Sequence, residues 1–391
     1  MWQTGTIRVA RIGDIAIDIH VSFGLVILWG AWQGWSQYGG SFGIVYGIFA
    51  VTLFFACILI HELAHSLQAR ALGLVVRRIT LLPIGGVAHL ETPPSQAWHE
   101  LVISLVGPFA NLGLAVAFVI LGLTAAGSLS VIAWADLLRF IAEPGLVGLS
   151  FYLALVNLSL FLFNMLPAFP MDGGRALRAA LAMAMGFVPA TRLAAWIGRL
   201  VAIGMVVAGI AGLIRSTSLD IPFDILLIVV AAVVYLGANN EELFVRRRWA
   251  LSRVEVGDVL KARPEILAPW DTISQTLVTR LFQHDHILPV VVEDRLVGLL
   301  TFSEARRFAH QTNAVTVAHA MRTDFPVLQL RDTVWVALQE MSAVNLAALP
   351  VVENNVFLGM VSLDDISHAW RFASRHNGRG DATLVSGDML K

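Results

Sequence analysis

Charged residues are scarce in this sequence. Asp, Glu, Lys and Arg make up 14% of its 391 residues, whereas an average soluble chain carries roughly 25%. Hydrophobic residues reach 57% and the mean hydropathy is +0.72, which excludes an ordinary soluble protein and predicts a membrane protein with a soluble part attached. The net charge of −1 provides no basis for binding nucleic acid, so we expect no nucleic-acid partner.

Cysteine is almost absent. The single cysteine, Cys57, lies in an apolar run and has no second cysteine with which to pair, which excludes a disulfide framework. We expect Cys57 to behave as a small buried hydrophobic side chain.

Long apolar runs dominate the first part of the chain. Six of them approach the ~17–25 residues that cross a bilayer. They are residues 21–38, 42–68, 100–124, 146–166, 192–214 and 221–238. We therefore predict a polytopic α-helical protein of the cell membrane, with about six transmembrane helices in residues 1–240.

The arginines predict how these spans are oriented. With six crossings both termini lie on one side of the bilayer, and the loops of the opposite side carry only Arg139 and Arg215. Since loops rich in Lys and Arg stay in the cytoplasm, we predict that both termini and the soluble part are cytoplasmic. The second and fourth spans then both end toward the cytoplasm, so polar residues near their ends reach the same depth.

The second span contains the sequence HELAH, residues 61–65. On a helix, His61 and His65 lie four positions apart on one face, where two imidazoles can hold one zinc ion. Glu62 is the expected general base for the attacking water. Ionisable side chains are expensive in hydrocarbon, so this motif predicts a functional site rather than a chance sequence.

A catalytic zinc ion usually takes three protein ligands. Asp172 is the candidate third ligand because it follows the fourth span and is flanked by glycines. Asp before a helix is also a common N-cap, so Asp172 could instead cap a helix that begins at Arg175. The spacing alone leaves both hypotheses open.

Three segments together resemble the site-2 protease family of intramembrane metalloproteases. They are HELAH, the segment from Asn164 to Gly174 (NMLPAFPMDGG), and Gly85-Gly86 followed by Gly107-Pro-Phe-Ala-Asn111. The resemblance covers about residues 5–240. It implies one zinc ion bound by His61, His65 and Asp172, Glu62 as the catalytic base, and cleavage of a single-span membrane protein substrate.

The resemblance also implies that Asn164 is catalytic and hydrogen-bonds to the substrate or the developing oxyanion. A plain interhelical hydrogen bond is the alternative role for Asn164. Residues 81–91 could form a hairpin whose free edge pairs with an unwound substrate, or they could form a simple re-entrant or interfacial loop.

Residues 254–304 and 315–365 form an internal repeat with an ungapped offset of 61 residues. Leu288-Pro-Val-Val291, for example, matches Leu349-Pro-Val-Val352. Each copy contains two apolar runs around a short polar turn, which predicts a β-hairpin followed by a helix. We expect the two copies to pack as a pseudo-symmetric α/β pair.

This repeat resembles a tandem pair of CBS domains, over residues 254–310 and 315–372. The resemblance implies that Thr301, Glu304, Ser362 and Asp365 contact ATP or AMP, which would regulate the membrane part. It also implies a homodimer formed through the CBS pair. Glu304 stands where the pattern has Asp, which weakens the expectation for the first copy. The alternative is that each hydroxyl–acid pair is a helix capping box.

The predicted organisation is completed by a linker at residues 241–253 and a disordered tail at residues 376–391. A CBS-regulated transporter and a catalytically silent membrane scaffold are the alternative functions. A transporter would distribute polar residues over several spans, whereas here they concentrate in HELAH and residues 164–172.

Overall fold

The chain divides into two compact units, Met1–Leu243 and Phe244–Lys391. The computed structural model describes residues 5–83, 85–90, 94, 96–127, 143–215, 222–262, 264–273, 287–308 and 315–377. Residues 378–391, which make up most of the predicted disordered tail, lie outside the described residues.

The first unit is predominantly helical. Its helices are α1 (Phe23–Tyr38), α2 (Gly40–Ala71), α3 (Ala97–Ala125), α4 (Leu146–Asn164), α5 (Asp172–Met185), α6 (Phe187–Arg215) and α7 (Pro222–Leu251). Within the described residues, five of these are long and apolar enough to cross a membrane: α2, α3, α4, α6 and α7. The prediction of a polytopic helical membrane protein is therefore confirmed. Helix α7 continues to Leu251, so most of the predicted linker 241–253 is helical.

The first of the six predicted crossings forms α1, which has 16 residues. At 1.5 Å per residue this helix is shorter than the ~30 Å hydrocarbon core. Glycines bring it into backbone contact with α2, because a side chain at Gly34 would overlap the carbonyl of Gly43 and one at Gly47 would overlap the carbonyl of Gly30. This is the small-residue packing that membrane helix pairs use.

A four-stranded sheet accompanies the helices. Its strands are β1 (Thr6–Ile12), β2 (Ile15–His20), β3 (Val76–Leu82) and β4 (Gly85–Leu90), in the order β1-β2-β3-β4. Strands β2 and β3 are parallel, and the other two pairings are antiparallel. Strand β4 ends the sheet, with β3 as its only hydrogen-bonded neighbour among the described strands. A hairpin is therefore present in this region, but its first arm, Val76–Leu82, begins five residues before the predicted segment 81–91, and its second arm is Gly85–Leu90.

The second unit repeats one pattern of elements. Its helices are α8 (Val256–Val259), α9 (Phe302–Phe308), α10 (Val317–Ala320), α11 (Val334–Val344) and α12 (Leu363–Asn377). Its strands are β5 (Lys261–Ala262), β6 (Ile287–Val292), β7 (Arg295–Thr301), β8 (Ala348–Glu353) and β9 (Val356–Ser362). The hairpins β6–β7 and β8–β9 start at positions 61 residues apart, as the repeat predicts.

The two copies share one core. Buried side chains from both hairpins, including Leu299 of β7 and Val361 of β9, belong to the same hydrophobic cluster. The backbone N–H of Phe357 also donates to the carbonyl of Asp294, which joins the turns of the two copies. This arrangement confirms the predicted α/β unit with paired hairpins.

Candidate metal centre

His61, His65 and Asp172 converge at one point in the membrane unit. The two Nε2 atoms are 3.1 Å apart, and Oδ2 of Asp172 lies 3.2 Å from His61 Nε2 and 3.1 Å from His65 Nε2. His61 and Asp172 are buried, and His65 is nearly so. Ligand atoms around a four-coordinate zinc ion lie roughly 3.4 Å apart, given bond lengths of about 2.0–2.2 Å. The spacing of the three atoms therefore fits one zinc ion.

A hydrogen bond at the other ring nitrogen of His65 supports the same assignment. Its Nδ1 donates a hydrogen bond of 2.6 Å to the backbone carbonyl of Ile103 on α3. A neutral imidazole that is protonated at Nδ1 has a lone pair at Nε2. That lone pair faces a carboxylate oxygen, and a bound cation would stabilise such a pair of acceptors. A metal-binding histidine commonly uses its other ring nitrogen in this way.

The loop after α4 delivers Asp172 to the histidines. Gly173 and Gly174 allow the first turn of α5 to pack directly on this loop, because side chains there would overlap the backbone of Met165–Leu166 and Ala168 respectively. Helix α5 begins at Asp172 itself, and its N-cap is Met171. The hypothesis that Asp172 caps a helix starting at Arg175 is therefore wrong. Its carboxylate is directed at the two imidazoles instead.

Glu62 is half-buried and lies against strand β4. A side chain at Gly86 would overlap Cγ of Glu62, so the absence of one there gives the carboxylate its space. Gly107 has the same relation to His65, because a side chain at residue 107 would overlap the imidazole. Gly86 and Gly107 are thus positions where the backbone approaches the site closely.

Asn164 is the last residue of α4 and is half-buried. Within the described residues, its side chain has no hydrogen bond to the three converging side chains. The structure therefore brings together four of the five site residues predicted for the membrane unit, and it leaves both hypotheses for Asn164 open.

The residues predicted to bind nucleotide form two equivalent pairs. Thr301 Oγ1 donates to Glu304 Oε2 at 2.9 Å, and Ser362 Oγ donates to Asp365 Oδ2 at 2.6 Å. In each pair the acid also accepts from the backbone N–H of the hydroxyl residue, which is capping-box geometry at the start of α9 or α12. The structure therefore shows the capping role directly.

The structure also contains a buried ionic cluster that the sequence does not predict. Arg178 on α5 pairs with Glu100 on α3 and with Glu241 on α7. Its guanidinium also stacks over Phe169, at 5.1 Å from the ring centroid, and over Phe187, at 4.8 Å. The three charged residues lie far apart in the sequence. Their occurrence in apolar surroundings is the only sequence signal that they have a structural or functional role.

Comparison with known proteins identifies relatives of both units. The sequence matches the profile of peptidase family M50 over residues 49–139 and 124–209, and that of the CBS domain over residues 317–371. A zinc metalloprotease of Methanocaldococcus jannaschii is 30% identical over 365 residues, covering 93% of this chain and 96% of that protein. The candidate zinc metalloprotease Rip3 of Mycobacterium tuberculosis is 27% identical over 377 residues, covering 92% of each chain. The solved structure of a site-2 protease from Methanocaldococcus jannaschii is 32% identical, covers 61% of this chain and 95% of that one, and has a TM-score of 0.41.

Proposed function

The chain belongs to peptidase family M50, the site-2 protease family of zinc metalloproteases, and on that premise we propose that it cuts the membrane-spanning segment of a single-span membrane protein. The convergence of His61, His65 and Asp172 beside Glu62, on helices of the membrane unit, carries the proposal. A CBS domain follows in the same chain and is proposed below to regulate the cleavage.

In this proposal His61, His65 and Asp172 hold one zinc ion. When bound, zinc polarises the substrate carbonyl and makes water acidic enough to attack at neutral pH. Glu62 takes the proton from the attacking water and gives it to the leaving amine as the peptide bond breaks. The Asn164 amide donates a hydrogen bond to the carbonyl oxygen while negative charge develops there.

Strand β4 is the proposed docking edge for the substrate. A transmembrane helix hides its carbonyls in its own hydrogen bonds, so a substrate must unwind before it can be cut. The free edge of β4 can pair with an extended segment through backbone hydrogen bonds. Because Gly86 of β4 contacts Glu62, a segment on this edge runs beside the general base.

The test of cleavage uses the Glu62→Gln variant of the full chain. Gln keeps the size of Glu62 and removes its ability to carry the proton. Membrane proteins captured by Glu62→Gln are co-expressed, one at a time, with the parent protein or the variant, and fragments are measured by immunoblotting and mass spectrometry. We expect fragments with the parent and with Glu340→Gln, a matched change in the second unit, and none with Glu62→Gln. Equal cutting by Glu62→Gln would refute the mechanism.

We further propose that both termini and the second unit are cytoplasmic. The arginine distribution supports this orientation. The chain is well suited to a labelling test because its only cysteine, Cys57, is buried. Single cysteines introduced at Ser252 and, separately, at Ser41 should react with a membrane-impermeant thiol reagent from the cytoplasmic side and the opposite side respectively. Labelling of both from one side would refute the assigned topology.

Regulation by an adenine nucleotide is the proposed role of the second unit. The hydroxyl–acid pairs at 301/304 and 362/365 lie at equivalent positions of the two hairpin–helix copies. Calorimetry of the full chain with ATP and with AMP should detect binding that Ser362→Ala weakens, and analytical ultracentrifugation should detect a dimer. The absence of heat with both nucleotides would leave these pairs with the capping role alone.

A further inference from the structure

Several buried polar side chains of α2 and α3 have atoms without a partner within the described part of the chain, and two of them concern the site. One is Nδ1 of His61, the ring nitrogen that does not face Asp172. The other is the side-chain amide of Asn111 on α3, where neither the nitrogen nor the oxygen is hydrogen-bonded. Asn111 is 1% exposed and His61 is 7% exposed. Buried polar groups without partners are rare, and inside a membrane protein no bulk water can satisfy them.

The packing of α3 on α2 places these two groups at the same level. Gly107 contacts the imidazole of His65, and farther along α3 Leu114 joins the hydrophobic cluster around Cys57. Residue numbers therefore rise along α3 as they fall along α2. Asn111 lies four residues beyond Gly107, and His61 lies four residues before His65. Each step is about 6 Å along its helix, so Asn111 reaches the level of His61.

Asn111 also lies on the correct face of α3. Residues four apart share a helix face, so Asn111 follows Gly107 along the surface that contacts α2. The other buried polar side chains nearby lie at different levels. Ser66 is on α2 itself, five residues beyond His61. Ser104 precedes Gly107 on α3, toward the opposite side of His65. Asn157 of α4 contacts Cys57, one helical turn before His61.

We propose that Asn111 is a positioning residue for the metal centre, and that its amide oxygen accepts a hydrogen bond from His61 Nδ1–H, directly or through one buried water molecule. The bond fixes the tautomer that presents the His61 Nε2 lone pair to zinc. It does for His61 what the carbonyl of Ile103 does for His65. The proposal rests on the zinc site of the proposed function.

The test measures zinc affinity rather than cleavage. The full chain is purified in detergent, stripped of metal and titrated with zinc against a chromophoric chelator. The Asn111→Leu variant keeps approximate size and removes both polar atoms. We expect its zinc affinity to fall by about 10–100-fold, the usual effect of losing such a partner. The visible spectrum of the Co²⁺-loaded protein should also change, because the His61 ring is no longer fixed.

The metal-free protein distinguishes positioning from a purely structural role. In the metal-free protein the proposed bond contributes only about 1 kcal/mol, and Leu also removes the desolvation cost of the buried amide, so metal-free Asn111→Leu should melt close to the parent temperature. Asn111→Asp retains an acceptor for Nδ1–H and should hold zinc more tightly than Asn111→Leu. It also provides a second variant if Asn111→Leu does not fold. Asn157→Ala, a buried asparagine at another level, is the matched control and should bind zinc like the parent.

Two results would overturn the proposal. Zinc affinity and Co²⁺ spectra of Asn111→Leu that equal those of the parent would exclude Asn111 as a partner of His61. A metal-free melting temperature that falls in parallel with zinc affinity in both Asn111 variants would assign it a structural role. The His65→Ala variant keeps the two questions separate. If its zinc content matches that of the parent, the metal site itself is wrong, whatever Asn111 does.

Discussion

The Arg178 cluster leads to the most quantitative prediction. Arg178 is 4% exposed and pairs with Glu100, which is 3% exposed, and with the partly exposed Glu241. Arginine cannot lose its charge in a protein, so Arg178→Met removes a cation and leaves the buried Glu100 carboxylate without compensation. Breaking such a buried pair from one side destabilises a protein by about 3–5 kcal/mol. We expect the free energy of unfolding to fall by that amount.

The assay is denaturant unfolding of the purified full chain in mixed micelles, followed by tryptophan fluorescence. A second, more exposed pair provides the matched control, because Arg199 on α6 contacts Glu242 of α7 at 2.9 Å and Asn239 at 3.0 Å. The same change there, Arg199→Met, should cost less than Arg178→Met, because the side chains of this pair are 25% and 14% exposed and solvent screens the charge that remains.

A double variant separates an unpaired charge from lost packing. Glu100→Leu combined with Arg178→Met replaces both buried charges with apolar side chains, which is commonly neutral or stabilising. We therefore expect the double variant to recover most of the loss seen in Arg178→Met. The reasoning is refuted if Arg178→Met costs no more than Arg199→Met, or if the double variant is the sum of two independent losses.

Four further predictions concern the site and the second unit. Glu62→Gln should retain zinc and lose cleavage by about 10²–10⁴-fold, measured as fragment yield at equal zinc content; loss of zinc would instead make Glu62 a structural residue. His65→Ala should lose most of its zinc by elemental analysis, because one of three ligands is gone; parent-level zinc would exclude His65 as a ligand. Gly86→Val should lower cleavage while zinc content stays at the parent level, because its side chain displaces Glu62; Gly113→Val on α3, where a side chain meets no neighbour, is the control, and equal activity of the two would contradict the contact. Ser362→Ala should cost about 1 kcal/mol in thermal unfolding of the second unit through loss of the cap on α12; an unchanged melting temperature would show that the capping bond adds no stability.

Much of the site could be predicted because its signals are local. The spacing of His61 and His65 places both on one face of any helix, and the helix itself follows from an uninterrupted apolar run. The sequence identifies Asp172 as a candidate but does not decide its role, since an acidic residue after a span can be a metal ligand or a helix cap. Only the tertiary contact with both imidazoles separates these roles.

The missed parts are those whose chemistry is distributed over the chain. The partner of His65 is the backbone carbonyl of Ile103. Every residue type has a backbone carbonyl, so the sequence cannot identify this partner. Arg178 and Glu100 are 78 residues apart, with no spacing rule to connect them. The first apolar stretch, residues 21–38, forms a helix of 16 residues that packs on α2 through glycines, and the length of the stretch does not predict that packing. The repeat was predicted well, since a constant offset of 61 residues reports two copies of one unit directly.

If strand β4 docks the substrate as proposed, its edge, which has no neighbour among the described strands, restricts which proteins can be substrates. An edge strand binds a partner through backbone hydrogen bonds. The backbone N–H and C=O groups of a transmembrane helix become available for these bonds only after the helix unwinds. Opening is easier where helix propensity is low, and a glycine in place of an alanine lowers the cost by about 1 kcal/mol per residue. For a segment that pairs with β4, selection would then depend on how readily the substrate helix unwinds near the site. Two substrates with unrelated side chains could be cut alike, and a single helix-stabilising substitution could protect either one.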